Sequence, residues 1–141
     1  MSAAASQCTC FRLRRAARQV SQLYDHALAA AGLGVNQYSI LRHARQPRTI
    51  GELAARLGMD RTTLTRNLQP LLRAGWLEQA RGADPRQRVL RLTAAGRECL
   101  RQAQPHWRRA QRRIEALLGT RALASLDDGL DALAAALEPA A

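Results

Sequence analysis

"DRTTLTRNLQPLLRAGWLEQ" (residues 60–79) is the stretch that decides the fold of this chain. Asp60 stands where a helix N-cap is expected, and Gly75 stands where that helix should end. At 100° per residue, four leucines fall on one side of the helix, namely Leu64, Leu68, Leu71 and Leu72. The other side carries Thr, Arg and Gln without an acidic side chain. The stretch therefore predicts an amphipathic helix whose polar face is free to meet a partner.

The segments around this helix predict the rest of a known motif. Upstream, "TIGELAARLG" (49–58) opens with the capping-box pair Thr49 and Glu52 and ends at Gly58. Downstream, "WLEQAR" (76–81) and "QRVLRL" (87–92) are strand-like runs joined by a loop longer than two residues. Two capped helices followed by a hairpin are the order of a winged helix-turn-helix. The predicted fold class is mainly α with a small β-wing.

Three further helical patterns flank this unit. We predict a helix over 11–31, a short one over 36–45, and a long one that begins after Thr93 and passes Pro105 with a kink. A last helix is predicted with Thr120 as its cap. Its leucines recur at steps of three and four, at Leu123, Leu126, Leu130, Leu133 and Leu137. With only five aromatic residues to fill a core, such stripes favour burial against a second copy.

The charge of the chain indicates a polyanionic partner. All 22 basic residues are arginine, against 11 acidic residues, which gives a net charge of +11. Between residues 42 and 91, 11 arginines face four carboxylates. Arginine suits bidentate contacts to phosphates and guanines. Neither a transmembrane segment nor a signal peptide is evident, so we expect a cytoplasmic protein of 141 residues that does not associate with membranes.

Two groups of residues are predicted to contact double-stranded DNA. On the polar face of the 60–75 helix, base readout is assigned to Thr62, Thr63, Thr65 and Arg66, with Arg61 mainly on phosphate. At the hairpin tip, Arg86 and Arg88 can reach a minor groove. Asp84 at that tip would repel DNA unless it pairs with a neighbour and orients it, and Arg86 is the neighbour within reach.

The chain resembles the MarR family of transcriptional regulators over nearly its whole length. The resemblance rests on residues 60–79 together with "DPRQRVLRLTAAG" (84–96), which matches the family's wing signature of Asp-x-Arg, an apolar strand and Leu-Thr-x-x-Gly. It implies an obligate homodimer that binds a palindromic operator with Arg86 in the minor groove. We expect this homodimer to act as a repressor. The first, fifth and sixth helices would form the dimer interface. The predicted divisions are 1–34 and 94–141 for dimerisation and 35–93 for DNA binding.

The cysteines leave the effector open. Cys10-Phe11 and Tyr24 resemble the MarR branch that senses organic hydroperoxides, in which such a tyrosine helps to hold the oxidised sulfur. A helix N-terminus with arginines nearby favours a thiolate, the form that peroxides attack, and Cys8 is the nearest resolving partner. The branch's resolving cysteine is missing, since Glu115 stands near its position. The alternatives are simple packing at a dimer seam, a metal or metalloid at the cysteines including Cys99, and a small aromatic ligand near His43, Tyr38 and Trp107.

Other classes of protein fit the sequence less well. An enzyme is not predicted, because Cys10 and His26, a nucleophile and a base, would lie about 24 Å apart on one helix. No cofactor is predicted either, and there is no glycine-rich phosphate loop. RNA binding lacks a cluster of aromatic residues for base stacking. An architectural DNA-binding protein without an effector remains the alternative from another class.

Overall fold

A computed structural model describes residues 7–139 of the chain. Within this range six α-helices and three short strands follow one another, and a 3₁₀ turn at Ala29–Ala31 extends the first helix. In chain order they are α1 (Thr9–Leu28), α2 (Val35–His43), β1 (Arg48–Thr49), α3 (Ile50–Leu57), α4 (Arg61–Arg73), β2 (Leu77–Arg81), β3 (Arg88–Leu92), α5 (Ala94–Leu118) and α6 (Thr120–Leu137). The mainly helical winged helix-turn-helix predicted from the sequence is confirmed.

Side-chain caps start three of these helices where the sequence predicts them. Thr49 accepts the N–H of Glu52 at 3.1 Å, Asp60 accepts the N–H of Thr63 at 2.7 Å, and Thr93 accepts the N–H of Gly96 at 3.0 Å. The prediction for the last helix was wrong in one detail. Gly119 is the N-cap of α6, while Thr120 is its first residue and gives no side-chain cap. Gly119 has φ of +87°, a conformation that glycine adopts easily.

The wing is a three-stranded antiparallel sheet in the order β1-β3-β2. The hairpin of β2 and β3 is the predicted one. The third strand, β1, was not predicted from the sequence; its Arg48 and Thr49 pair with Leu90 and Val89. A two-residue strand carries no periodic signal, and it forms here because the chain between α2 and α3 runs alongside β3. This pairing joins the wing to the start of α3.

The core of the protomer lies where α2, α3, α4 and α5 meet the wing. Its fully buried members include Ile40, Leu53, Leu64 and Leu90. The leucine face of α4 is buried as predicted, with Leu72 only partly covered. α5 continues through Pro105 without a stop. Among the described residues, no helix is both long and apolar enough to cross a membrane.

The outer helices leave large apolar side chains uncovered. None of the residues of α6 is buried in the protomer. The exposed set on α1, α5 and α6 is Phe11, Val20, Leu117, Leu118, Leu126, Leu130 and Leu137. Several exposed large apolar side chains on neighbouring helices are expected where a protein–protein interface forms, which agrees with burial against a second copy. The division of the chain at residues 34 and 93 stays a prediction.

Candidate nucleic-acid interface

The exposed face of α4 carries the residues predicted to read bases. Thr62, Thr65 and Arg66 are exposed, and no salt bridge within residues 7–139 engages Arg66. Because Leu64, Leu68 and Leu71 anchor the opposite side in the core, the helix presents these three side chains outward with little freedom to rotate. This arrangement can insert into a major groove.

Thr63 differs from its neighbours on α4. It is half-buried, and its hydroxyl donates to Asp60 Oδ2 at 2.8 Å while its N–H donates to Asp60 Oδ1. These two hydrogen bonds lower the pKa of the Asp60 carboxyl. Asp60 therefore stays ionised as the helix cap. The methyl group of Thr63 is available to contact a base, whereas its hydroxyl proton is already donated to the Asp60 carboxylate.

Asp84 organises the wing tip through the backbone. Its Oδ1 accepts the N–H of Arg86 at 3.0 Å, and its carbonyl oxygen accepts the N–H of Gln87 at 2.9 Å. From the sequence, Asp84 is expected to repel DNA unless it pairs with a neighbour and orients it, and Arg86 is the neighbour within reach. The short Asp84 side chain instead closes a turn, as aspartate commonly does two residues before a donor N–H. The carboxylate is thereby engaged, and the exposed guanidinium of Arg86 projects from the tip.

A notch between α4 and the wing brings in residues that the sequence analysis did not single out. It is lined by Thr49, Ile50, Gly51, Arg61, Gln87 and Arg88. Gly51 and Gln87 were missed because their role depends on a contact between segments far apart in the chain. Arg61 and Arg88 both line this notch, and a phosphate group can accept charge-assisted hydrogen bonds from both guanidiniums.

Cys8 and Cys10 lie together at the exposed start of α1. Cys8 is the N-cap, and its Sγ accepts the N–H of Phe11 at 3.5 Å. The guanidinium of Arg15 lies over the Phe11 ring, 5.3 Å from its centroid, and so brings positive charge to this turn. Cys99 is buried in α5, and burial raises the pKa of its thiol. Cys99 is therefore a protonated core thiol.

Tyr24 is far from both N-terminal cysteines within one protomer. It lies fourteen residues after Cys10 on α1, about 21 Å along the helix axis, and its hydroxyl donates to Oε1 of Gln111. Burial raises the pKa of the Tyr24 hydroxyl, and the charges of Glu115 and Asp127 raise it further. Tyr24 could meet an oxidised sulfur only across a dimer.

Tyr24 belongs to an aromatic cluster that joins α1, α2 and α5. Trp107 is stacked on Tyr38 with ring centroids 6.1 Å apart, and Tyr24 lies 6.5 Å from Trp107. The Arg42 guanidinium lies 5.1 Å from the Trp107 centroid. Tyr38 and Trp107, two of the residues considered as neighbours of a small aromatic ligand, thus pack against each other. Four cavities among residues 7–139 are lined by other side chains than these.

A metal site at the cysteines is not assembled within one protomer. Across residues 7–139, no group of three or more His, Cys, Asp or Glu side chains is close enough to hold a metal ion. Cys99 on α5 is buried, whereas Cys8 and Cys10 at the start of α1 are exposed.

This geometry defines a winged helix-turn-helix protein, and comparison with known proteins identifies its family. A family model described as "MarR family" matches residues 31–88. The transcriptional regulator MosR of M. tuberculosis, solved in complex with DNA, is 42% identical, with a TM-score of 0.75 over 90% of this chain and 98% of that one. Among curated protein sequences no significant match is found.

Two further relatives have solved structures with DNA. The transcriptional repressor CouR, bound to a 23-mer duplex, is 29% identical, with a TM-score of 0.82 over 92% of this chain and 94% of that one. CouR from Rhodococcus jostii RHA1 is also known bound to p-coumaroyl-CoA. A cysteine-to-serine mutant of MarR from E. coli, complexed with operator DNA, is 22% identical, with a TM-score of 0.79 over 86% and 89% of the two chains.

The chain belongs to the MarR family of transcriptional regulators, which bind operator DNA and are not enzymes. The resemblance that the sequence analysis identified is thus confirmed at the level of the family. The organic-hydroperoxide branch is not singled out by these relatives. The individual DNA contacts and the role of the cysteines stay predictions.

Proposed function

We propose that this protein is a homodimeric repressor that binds a palindromic operator and releases it when its N-terminal cysteines are oxidised. The DNA-binding part is supported by one observation above all. The exposed Thr and Arg side chains of α4 stand beside a wing tip whose single carboxylate accepts the backbone N–H of Arg86. Both the reading helix and the tip are therefore free to contact DNA.

The dimer is supported by the uncovered helices and their charges. α1 carries Arg12, Arg14, Arg15 and Arg18, whereas α6 carries Asp127, Asp128 and Asp131. Both helices also expose large apolar side chains. Two copies related by a two-fold axis can cover these surfaces and place two α4 helices in successive major grooves, about 34 Å apart.

Selection from a random double-stranded DNA library tests the operator. We expect the full-length protein to enrich an inverted repeat whose half-sites are centred about 10 bp apart or a multiple of this spacing. The measurement is sequencing of bound duplexes after several rounds, followed by fluorescence anisotropy on the best site. Enrichment of no motif would favour the architectural DNA-binding protein, and enrichment of a single half-site would contradict the dimer.

The oxidative switch is supported by the position of the two thiols. Both are exposed, and Cys8 holds the first turn of α1 through the N–H of Phe11. A peroxide ROOH oxidises the Cys10 thiolate to a sulfenic acid and leaves as RO⁻. The Cys8 thiol then attacks this sulfur, and a disulfide and water are formed.

A bond from Cys8 to Cys10 would remove the cap of α1. Residues two apart on a helix point about 200° apart, so the first turn must unwind before the two sulfurs can meet. Phe11 would then lose the acceptor of its N–H, and its exposed ring belongs to the surface assigned to the dimer. A changed start of α1 would alter the dimer and hence the separation of the two α4 helices.

Peroxide treatment of the DNA-bound protein tests this switch. We expect cumene hydroperoxide to release wild type and dithiothreitol to restore binding, whereas Cys10→Ser should stay bound. Cys99→Ala is the matched control and should respond as wild type does, because Cys99 is buried. Binding can be followed by anisotropy, and the disulfide by the mass of the N-terminal peptide.

Two other results would redirect the proposal. If Cys10→Ser still releases DNA on oxidation, or wild type never does, the thiols are packing residues and the effector is a small ligand. The relative CouR with its bound p-coumaroyl-CoA makes aromatic acids and their thioesters the first ligands to test. Release by Zn²⁺ or arsenite under reducing conditions would favour a metal or metalloid at the cysteines.

A further inference from the structure

The guanidinium of Arg61 occupies space that a side chain at position 51 would need. Arg61 is the first residue of α4, and Gly51 lies in the first turn of α3. A Cβ atom built on Gly51 would stand 2.9 Å from Nη2 of Arg61 and 3.7 Å from its Cζ. Carbon atoms do not pack this closely against a guanidinium nitrogen without displacement. Arg61 can therefore lie across the start of α3 only because residue 51 is glycine.

We infer that Gly51 is a positioning residue for DNA binding. It lets Arg61 lie over the first turn of α3, where Arg61 and Arg88 together form a cradle for one phosphate of the DNA backbone. This inference rests on the proposed function, because it assumes that the α4 and wing face meets DNA. It adds to that proposal a specific phosphate site and a residue that acts without touching DNA itself.

The charges around the notch favour an external anion. Within residues 7–139 neither Arg61 nor Arg88 forms a salt bridge. The neighbouring carboxylates serve as helix caps: Glu52 accepts the N–H of Thr49 at 3.3 Å, and Asp60 accepts from Thr63. Two guanidiniums drawn into one notch repel each other, and a phosphate between them relieves this repulsion.

The backbone at the notch adds to the same preference. The first N–H groups of a helix have no partner within it and carry a partial positive charge. The first turn of α3 lines this notch with Ile50 and Gly51. A phosphate held there by Arg61 and Arg88 would also face the positive end of α3, an arrangement that recurs in phosphate sites.

The Gly51→Ala variant distinguishes an effect on the position of Arg61 from an effect on the stability of the fold. The atoms that the alanine Cβ would meet are the far end of a flexible side chain, so Arg61 can swing away and the protein still folds. Alanine is also favoured over glycine within a helix. Gly51→Ala is therefore expected to raise the melting temperature slightly and, at the same time, to weaken DNA binding. A residue with a merely structural role would move both quantities in the same direction.

The experiment compares Gly51→Ala, Arg61→Ala and the double variant in the full-length protein. Ala55→Gly is the control, because it exchanges the same two residue types at an exposed position of α3 that does not line the notch. The probe is a 30-bp duplex of mixed sequence, since phosphate contacts do not depend on sequence. Anisotropy is measured between 50 and 300 mM salt, and thermal unfolding is measured without DNA.

We expect Arg61→Ala to weaken binding about tenfold and to make the log–log salt slope shallower by about one for each phosphate that is no longer neutralised. Gly51→Ala should lose a large share of that affinity, on the order of threefold to tenfold. The double variant should bind no more weakly than Arg61→Ala alone, because both changes act on the same phosphate. Ala55→Gly should bind as wild type does.

The possible failures are distinguishable. If Arg61→Ala weakens binding and Gly51→Ala does not, the positioning role is wrong and the DNA interface stands. Additive effects in the double variant would show that Gly51 acts elsewhere. If neither variant changes affinity or salt slope, Arg61 does not contact phosphate and the assignment of this face to DNA must be revised. Equal weakening by Ala55→Gly would assign the effect to the stability of α3.

Discussion

Gly96→Ala is expected to lower the free energy of unfolding by about 3 kcal/mol, the upper end of the usual cost of overpacking. A Cβ on Gly96 would stand 2.0 Å from the carbonyl oxygen of Trp76 and 3.1 Å from Cδ2 of Leu92. That oxygen already accepts the N–H of Thr93 at 3.1 Å. Because the obstacle is backbone held by a hydrogen bond, it cannot move aside as a long side chain could.

Urea unfolding followed by circular dichroism measures this effect, and Ala55→Gly again serves as the matched control. The control should lose no more than about 1 kcal/mol, because it changes only the helix propensity of an exposed position. A Gly96→Ala protein within about 0.5 kcal/mol of wild type would show that α5 does not pack this closely on the turn after α4. The clash gives a physical reason for the glycine of the Leu-Thr-x-x-Gly signature.

Arg66→Ala is expected to cost about 1–3 kcal/mol of operator affinity, or roughly fivefold to 150-fold, and to relax the preference at one base pair per half-site. Arg66 is exposed on the reading face of α4, among side chains with no carboxylate. A bidentate guanidinium discriminates guanine from the other bases. The measurement is anisotropy on the selected operator and on single-base variants of its half-sites.

Arg86→Ala provides the comparison for Arg66→Ala. Arg86 projects from the wing tip, where a minor-groove contact responds to groove width more than to a single base. The Arg86→Ala variant should bind DNA more weakly without losing the base preference at one major-groove position. It should leave dimerisation and thermal stability unchanged. If Arg66→Ala weakened all sequences equally, the face of α4 assigned to base readout would have to be rotated about the helix axis.

The sequence was sufficient for the parts of the fold that local chemistry decides. Thr49, Asp60 and Thr93 each cap a helix through a donor three residues away, so that capping pattern can be found by inspection. The apolar face of α4 follows from leucine spacing alone. Gly119, and not Thr120, is the N-cap of α6. Both residue types are compatible with a cap, but the turn between α5 and α6 requires a positive φ, which glycine adopts easily.

Contacts between distant segments could not be predicted in this way. β1 exists only because β3 lies beside it, and the hydrogen bond from Tyr24 to Gln111 joins residues 87 positions apart. The crowding of Arg61 against Gly51 depends on the angle between α3 and α4. In each case nothing in the local sequence marks the residue, because its role depends on a contact with a residue that is distant in the sequence.

Pro105 gives the continuous helix α5 a mechanical property. Proline has no N–H to donate to the carbonyl of Arg101, so the helix is softest at this point. The start of α5 is rigidly joined to the wing, since Thr93 bonds the carbonyls of Gly75 and Trp76. The 12 residues from Ala94 to Pro105 thus form a lever about 17 Å long. A tilt of about 10° at Pro105 would shift the junction between α5 and the wing by about 3 Å. If both protomers of a dimer tilted in this way, the distance between their two DNA-binding units would change by up to twice that.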